Sequence, residues 1–416
     1  MLKNTSIFYN QYYFNGDCMK YAYVYDAVRT PIGSAHLKKG SLYTVRPIDL
    51  LIVVLKTIQR RNNLDTKLIE DIVIGCVNQS NEQRAIARYA ALEADYDATI
   101  PGILLNRLCS SGLDSVNYVS AMCSSGTNEL MIAGGIENMS RIKNYNYGSY
   151  FNATSQFNTQ IVPEYILADL LATINNISRK ELDTFALNSH TKAYHAKQDK
   201  QKYITPVYDQ NKLTILNYDE NIKDNLNMKK LEKLNPLLEE YNHNLSLDYL
   251  TKPKYSKIET IIHNHTNGNS SLISDGASVI LIGSKKIQQK IQLKPKVKIL
   301  SRSLCATKPF SIIEAAINSS KQALKKASMK ITDIDLFEIN ETFAIIPILF
   351  AKKLQISLNK INIHGGTIAL GNPISATGPI MLTNAIDILN KKNLNTALIT
   401  ISTDIGMSTS TIVERM

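Results

Sequence analysis

Ile103-Leu104-Leu105-Asn106-Arg107-Leu108-Cys109-Ser110-Ser111-Gly112 reads as a short apolar strand, a tight turn and the start of a helix that runs to about Met122. A second stretch has the same grammar. Ile361-Asn362-Ile363 predicts a strand, Gly365-Gly366 to Gly371 a glycine-rich turn, and Ser375 to Leu389 a long helix. Upstream of each lies a further matched pair. The amphipathic segment Leu55 to Leu64 leads into Glu70-Asp71-Ile72-Val73-Ile74-Gly75, and Ser320 to Met329 leads into Ile334-Asp335-Leu336-Phe337-Glu338. The two strands lie 264 residues apart, Asp71 to Asp335. Strands alternating with helices in two copies predict a layered α/β architecture of two similar halves.

The region between the copies differs in character. From 139 to 270 it is rich in Asn, Tyr and Lys, with amphipathic stretches at Arg179 to Gln198 and Met228 to Tyr241. It reads as an inserted loop domain, although parts of it, such as Asn144 to Gln160, also suit a linker. The expected organisation is an N-terminal extension at 1–18, a first half at 19–138 and 271–291, the loop domain at 139–270, and a second half at 292–416. A chain of 416 residues exceeds what one hydrophobic core usually serves, which fits more than one domain.

Composition narrows the function. The net charge is +11, but the lysines are scattered rather than clustered, so nucleic acid is not the expected partner. A basic surface also suits a polyanionic small ligand. The longest apolar runs, such as Leu50 to Leu55, are too short to span a bilayer. Five cysteines, Cys18, Cys76, Cys109, Cys123 and Cys305, form neither a paired framework nor a CxxC metal motif, which points to a reducing compartment, the cytoplasm. The first strand-like pattern follows Met19, which could be the true start. The extension before it lacks arginine, which counts against the alternative of a transit peptide to the mitochondrial matrix.

Six ordered segments resemble the thiolases, enzymes that make or cleave 3-ketoacyl-CoA. They are Asp26-Ala27-Val28-Arg29-Thr30-Pro31-Ile32-Gly33, Asn106 to Gly112, Ala133-Gly134-Gly135-Ile136-Glu137-Asn138-Met139-Ser140, Gly268-Asn269-Ser270-Ser271 with Asp275-Gly276-Ala277, Asn340-Glu341-Thr342-Phe343-Ala344, and Gly365 to Gly371. Gly75-Cys76-Val77-Asn78-Gln79 and Ile100-Pro101-Gly102 look most similar to the 3-oxoadipyl-CoA branch. The resemblance implies a five-layered α-β-α-β-α sandwich of two similar halves with an inserted loop domain. It further implies a homodimer or homotetramer, a coenzyme A thioester as substrate, and no separate cofactor or metal.

It also implies roles for particular residues. Cys109 matches the nucleophile that carries the acyl group. A thiol suits that task because a few per cent is already thiolate at neutral pH, and a helix N-terminus would be expected to lower its pKa further. A buried structural cysteine is the alternative, and Cys123, further along the same helix, reads as core. Asn340 resembles the asparagine that orients a water in the oxyanion hole, though a turn-former after its strand is an equal reading. Ser271 resembles a serine that contacts the pantetheine arm, with Leu272 replacing a neighbouring glycine.

Three positions depart from the pattern. The family's Gly-His-Pro turn reads Gly371-Asn372-Pro373. An Asn amide can donate a hydrogen bond but cannot accept a proton, and a lost general base costs about 10²–10⁴ in rate. The C-terminal Cys-x-Gly-Gly-Gly turn reads Ser402-Thr403-Asp404-Ile405-Gly406, so a hydroxyl replaces the second cysteine. Asp404 stands where a glycine N–H would face the substrate oxygen. It would repel developing charge, point into solvent, or supply the missing base. His190, His195, His36, His243 and His364 suggest no replacement, and His263 with His265 lacks a third metal ligand. Three functions remain: an acyl-CoA C-acyltransferase with impaired turnover, a catalytically inactive acyl-CoA-binding or assembly subunit, and a half-reaction enzyme that acylates Cys109 and slowly releases the acid to water.

Overall fold

The computed structural model describes residues 21–36, 39–79, 81–142, 154, 158–159, 161–198, 202–240, 258 and 260–416. The 1–18 extension with Cys18, the alternative start Met19, His243 and nearly all of Asn144 to Gln160 lie outside them. The first half contains β1 (Ala22–Arg29), α1 (Pro47–Arg61), β2 (Ile72–Gly75), α2 (Ile86–Glu93), β3 (Gly102–Leu105), α3 (Ser111–Ser125) and β4 (Leu130–Asn138). After α4 (Glu164–Ile174) and α5 (Arg179–Gln198), β5 (Ser274–Gly283) returns to the same sheet. The second half follows as β6 (Val297–Ala306), α6 (Ile312–Lys326), β7 (Leu336–Ile339), α7 (Ile345–Leu354), α8 (Thr377–Lys391), β8 (Thr396–Ser402) and β9 (Met407–Arg415).

The strand order is β3-β2-β4-β5-β1 in the first half and β7-β8-β9-β6 in the second. In the first, β2 runs parallel to β3 and β4, then β4–β5 and β5–β1 are antiparallel. In the second, β7–β8 is parallel, then β8–β9 and β9–β6 are antiparallel. The sequence repeat is therefore a repeat of topology. The halves meet where Ala22, Tyr23 and Val24 pair with Ile299, Lys298 and Val297.

Strand side chains alternate between two cores, which is why the strands read as unbroken apolar runs. In β2, Ile72 and Ile74 face α1 and α2, packing with Leu51, Leu55 and Ile58, while Val73 faces the interior. In β8, Leu398 faces α6 and α7, and Ile399 and Ile401 face inward. Between the halves, Leu113 and Val116 of α3 and Leu382 and Ile386 of α8 fill a shared apolar layer. The layers thus run helix, sheet, paired helices, sheet, helix, as the resemblance implied.

Two expected elements differ. Ile361-Asn362-Ile363 makes a single bridge, Ile361 to Phe337, rather than a strand. Asn362 sits at φ 44°, and its amide takes over the ladder bonds: Oδ1 accepts the Ile339 N–H at 2.8 Å, and Nδ2 donates to the Ile339 carbonyl at 2.8 Å. The expected helix from Met228 to Tyr241 is two short turns, Met228–Glu232 and Leu237–Glu240, separated at Pro236, which lacks an N–H to continue the ladder. No helix among the described residues is long and apolar enough to cross a membrane.

Candidate active site

The strand-turn-helix around Cys109 is held by its own short side chains. Ser111 Oγ donates to the Leu108 carbonyl at 2.5 Å and accepts the Arg107 N–H at 2.8 Å, while Asn106 Oδ1 accepts the Leu108 N–H at 3.1 Å. These bonds force Leu108 to φ 51°. Cys109 is 8% exposed and lies just ahead of the first turn of α3. Ser110 Oγ donates to the Ile401 carbonyl at 3.2 Å, tying this turn to the end of β8 and so to Ser402. Gly112 is needed for the same assembly: a Cβ there would collide with the Ser375 carbonyl and the Pro379 ring, which belong to the segment that follows Asn372.

The other singled-out residues gather on neighbouring turns. Asn372 is 4% exposed, and both ends of its amide are engaged. Nδ2 donates to Ser271 Oγ at 3.3 Å, and Oδ1 accepts from Thr377 Oγ1 at 2.6 Å. Backbone bonds join the same segments, from Asn372 N to Leu272 O at 2.8 Å and from Ser271 N to Thr342 O at 2.9 Å. Asn340 follows β7 and is 1% exposed; its Nδ2 donates to Thr342 Oγ1 at 3.0 Å and its Oδ1 accepts from Thr367 Oγ1 at 2.8 Å. Ser402 ends β8, buried and opposite Ser408. Backbone strain concentrates on these turns. Among the described residues, the β-branched ones at positive φ are Ile374, two residues after Asn372, and Ile405, which follows Asp404. Such conformations cost about 1–3 kcal/mol each and persist only where surrounding structure dictates them.

Burial, then Glu164, then Asp404 and more weakly Glu137 push the Cys109 thiol well above its ordinary pKa, against the lowering expected from the helix N-terminus. Glu164 opens α4 at 8% exposure, and its carboxyl is held well above the usual range by burial and by Asp404. Burial pushes the Asp404 carboxyl up to about 6. Reading the sequence missed Glu164, since no spacing links a residue of the inserted region to the Cys109 turn. Its only local signal is an acidic residue on the first turn of a helix after Pro163.

Two family models match most of the chain: Thiolase, N-terminal domain, over residues 22–242, and Thiolase, C-terminal domain, over residues 293–415. The chain belongs to the thiolase family. Among its relatives, a 3-ketoacyl-CoA thiolase of Photorhabdus laumondii is 31% identical over 410 residues, covering 96% of this chain and all of the relative. A 3-ketoacyl-CoA thiolase of Salmonella typhimurium is 30% identical with the same coverage. The crystal structure of the Bacillus anthracis acetyl-CoA acetyltransferase superposes with a TM-score of 0.81 at 25% identity, covering 96% of this chain and 99% of that one.

In this thiolase the histidines do other work. His190 is buried, accepts the Lys223 N–H at 3.2 Å, and is pushed down to about 4 by burial and then by Lys223, so it packs neutral. His263 and His265 both turn Nδ1 toward Asp169, at 2.9 and 2.7 Å. Asp169 also accepts the backbone N–H groups of Asn264 and His265, so this cluster ties α4 to the chain entering β5. Among the described residues, no group of three His, Cys, Asp or Glu side chains is placed to hold a metal ion.

Proposed function

We propose that this thiolase is an acyl-CoA C-acyltransferase working through an acyl thioester on Cys109, with thiolysis and condensation slowed by Asn372 and Ser402. The observation that carries this reading is the placement of Cys109. A buried thiol sits on a strained turn at the start of the central helix, where the segments bearing Asn372, Ser402 and Asp404 are packed against it. The substrate is a coenzyme A thioester, whose phosphates suit the +11 chain, and no separate cofactor takes part. Asn372 offers only an amide already shared between Ser271 and Thr377, and a serine hydroxyl is a poor proton shuttle without its own base. The proposed working unit is a homodimer or homotetramer, and the proposed compartment is the cytoplasm.

A second reading is an inactive acyl-CoA-binding or assembly subunit. The observation favouring it is the burial of Cys109, which, with Glu164, Asp404 and Glu137, pushes its thiol up from the ordinary pKa and disfavours the thiolate. Steady-state thiolysis separates the two. With a 3-ketoacyl-CoA and free coenzyme A, the first reading expects slow release of a shortened acyl-CoA that disappears in Cys109→Ala. Product formation no faster than in Cys109→Ala would leave the second.

A further inference from the structure

We propose that Glu338 is a positioning residue for Asn372: through one buried water its carboxyl donates to Thr377 Oγ1, and so orients and polarises the amide that stands where the family has histidine. Its consequence for catalysis rests on the acyl-Cys109 reading; the water itself does not. β7 sets the direction of the side chain. Phe337 and Ile339 pack on the outer side of the sheet and Leu336 in the central layer, so Glu338 faces inward with Leu336. It lines a small cavity together with Gly366, Gly371, Pro373, Thr377 and Met381. Gly371 and Pro373 flank Asn372 in the chain, so the cavity lies against its turn, and it has room for a single water molecule.

Two hydrogen-bonding valences belong to residues lining that space. Glu338 is buried, and no described residue bonds its Oε1. Thr377 is buried as well. Its hydroxyl proton goes to Asn372 Oδ1 at 2.6 Å, which leaves its lone pairs without a donor among the described residues. Buried polar groups are seldom left unpaired. A water that accepts from the Glu338 acid and donates to Thr377 completes both. The charged groups that act on Glu338 are engaged elsewhere. Lys192 Nζ donates to the carbonyls of Leu358 and Ile361 at 3.2 and 2.8 Å. Glu341 accepts from Ser189 Oγ at 2.8 Å and from Asn362 Nδ2 at 2.7 Å. Burial and then Glu341, opposed by Lys192, hold the Glu338 carboxyl well above its ordinary pKa, which keeps the donor proton in place.

The resulting chain has one polarity. The Glu338 acid, the water and the Thr377 hydroxyl each donate to the next group, ending on Asn372 Oδ1, and each link strengthens the one after it. Electron density is drawn away from the Asn372 nitrogen, so its N–H groups become stronger donors. One of them goes to Ser271 Oγ at 3.3 Å, and no described residue takes the other. In the acyl-Cys109 reading that second N–H meets the acyl oxygen as it gains negative charge, where a preorganised donor has its largest effect. The turn has lost a base and kept a donor, and Glu338 sets the strength of that donor.

Crystallography and side-chain NMR test the chain without relying on turnover. The unaltered protein should show one ordered water bonded to both Glu338 and Thr377. A dry cavity, or a potassium or sodium ion in it, would overturn the proposal. With isotopically labelled asparagine, the Asn372 amide protons can be assigned by their loss in Asn372→Asp. They should move upfield in Glu338→Leu, which removes the donor, and stay in place in Glu338→Gln, which keeps one. Stopped-flow acylation of Cys109 by a 3-ketoacyl-CoA reads the consequence. Glu338→Leu should lower the maximal rate about 3–10-fold with the half-saturating concentration unchanged, while Glu338→Gln stays within about twofold of the parent. Equal losses in both variants would mark a role in packing or charge and refute donation. Should Glu338→Leu fail to fold, the bridging water and the parent-like rate of Glu338→Gln decide. A bridging water and a shifted amide in a protein that never acylates Cys109 would refute the acyl-enzyme reading and leave the chain standing, whereas acyl-Cys109 beside a dry cavity would do the reverse.

Discussion

Helices α3 and α8 lie side by side in the central layer and occupy equivalent places in the two halves, yet the turns leading into them carry different chemistry. The turn before α3 presents a thiol whose neighbours are small and whose backbone is braced by Ser111. The turn before α8 presents Asn372, whose amide is bonded at both ends. The outer layers differ as well. In the first half α1 meets its sheet through Leu51, Leu55 and Ile58. In the second, α6 meets its sheet partly through hydroxyls, with Ser319 Oγ at 2.7 Å from Ser410 Oγ and Thr400 Oγ1 at 2.8 Å from the same atom. The comparison teaches that duplicated topology does not bind the halves to one chemistry. In the second half, Asn372 is held by the hydroxyls of Ser271 and Thr377, so the fold accommodates an amide at that turn without leaving it unpaired.

The largest expected effect tests whether the second half alone holds back turnover. Asn372→His with Ser402→Cys and Asp404→Gly should raise the rate of thiolysis of a 3-ketoacyl-CoA by about 10²–10⁴ or more. A triple variant as slow as the parent would move the defect out of these turns.

The next effect contrasts the outer interfaces. Leu51 is fully buried, so Leu51→Ala should cost about 2–5 kcal/mol in urea unfolding. Ser410→Ala removes a hydroxyl from a network that can re-pair, and should cost about 1 kcal/mol. Equal losses would mean that the hydroxyl layer is as demanding as the hydrocarbon one.

The smallest effect is a pH dependence. Burial raises the Asp404 carboxyl from about 3.8 to about 6. Between those values the folded chain binds more protons than the unfolded one, so stability falls as pH rises through that window and stays lower above it. Asp404→Asn should therefore stabilise the protein at pH 7–8, on the order of 1 kcal/mol, with no gain near pH 4. Melting temperatures of the two proteins across that range check the sign, and a constant offset at every pH would remove Asp404 from the account.

Much of the scaffold was legible because periodicity reports local burial. The amphipathic pattern at Arg179 to Gln198 coincides with α5, and the repeated strand-turn-helix segments coincide with matching parts of the two halves. The reading failed where a single side chain changed the outcome. Asn362 turns a strand pattern into a cap, and Pro236 divides a helix. At the site, the motif located Cys109, Asn340 and Asn372, but not the state of the thiol. That state depends first on burial, which a helix-terminus argument from sequence does not include, and then on the charge of Glu164 at the start of α4.

Peptide-resolved mass spectrometry after incubation with a 3-ketoacyl-CoA at neutral pH tests the central claim most directly. One acyl group should appear on the peptide containing Cys109, with none on Cys76, Cys123 or Cys305 and none in Cys109→Ala. Protein that binds coenzyme A yet stays unlabelled, or that carries the label on another cysteine, would contradict it.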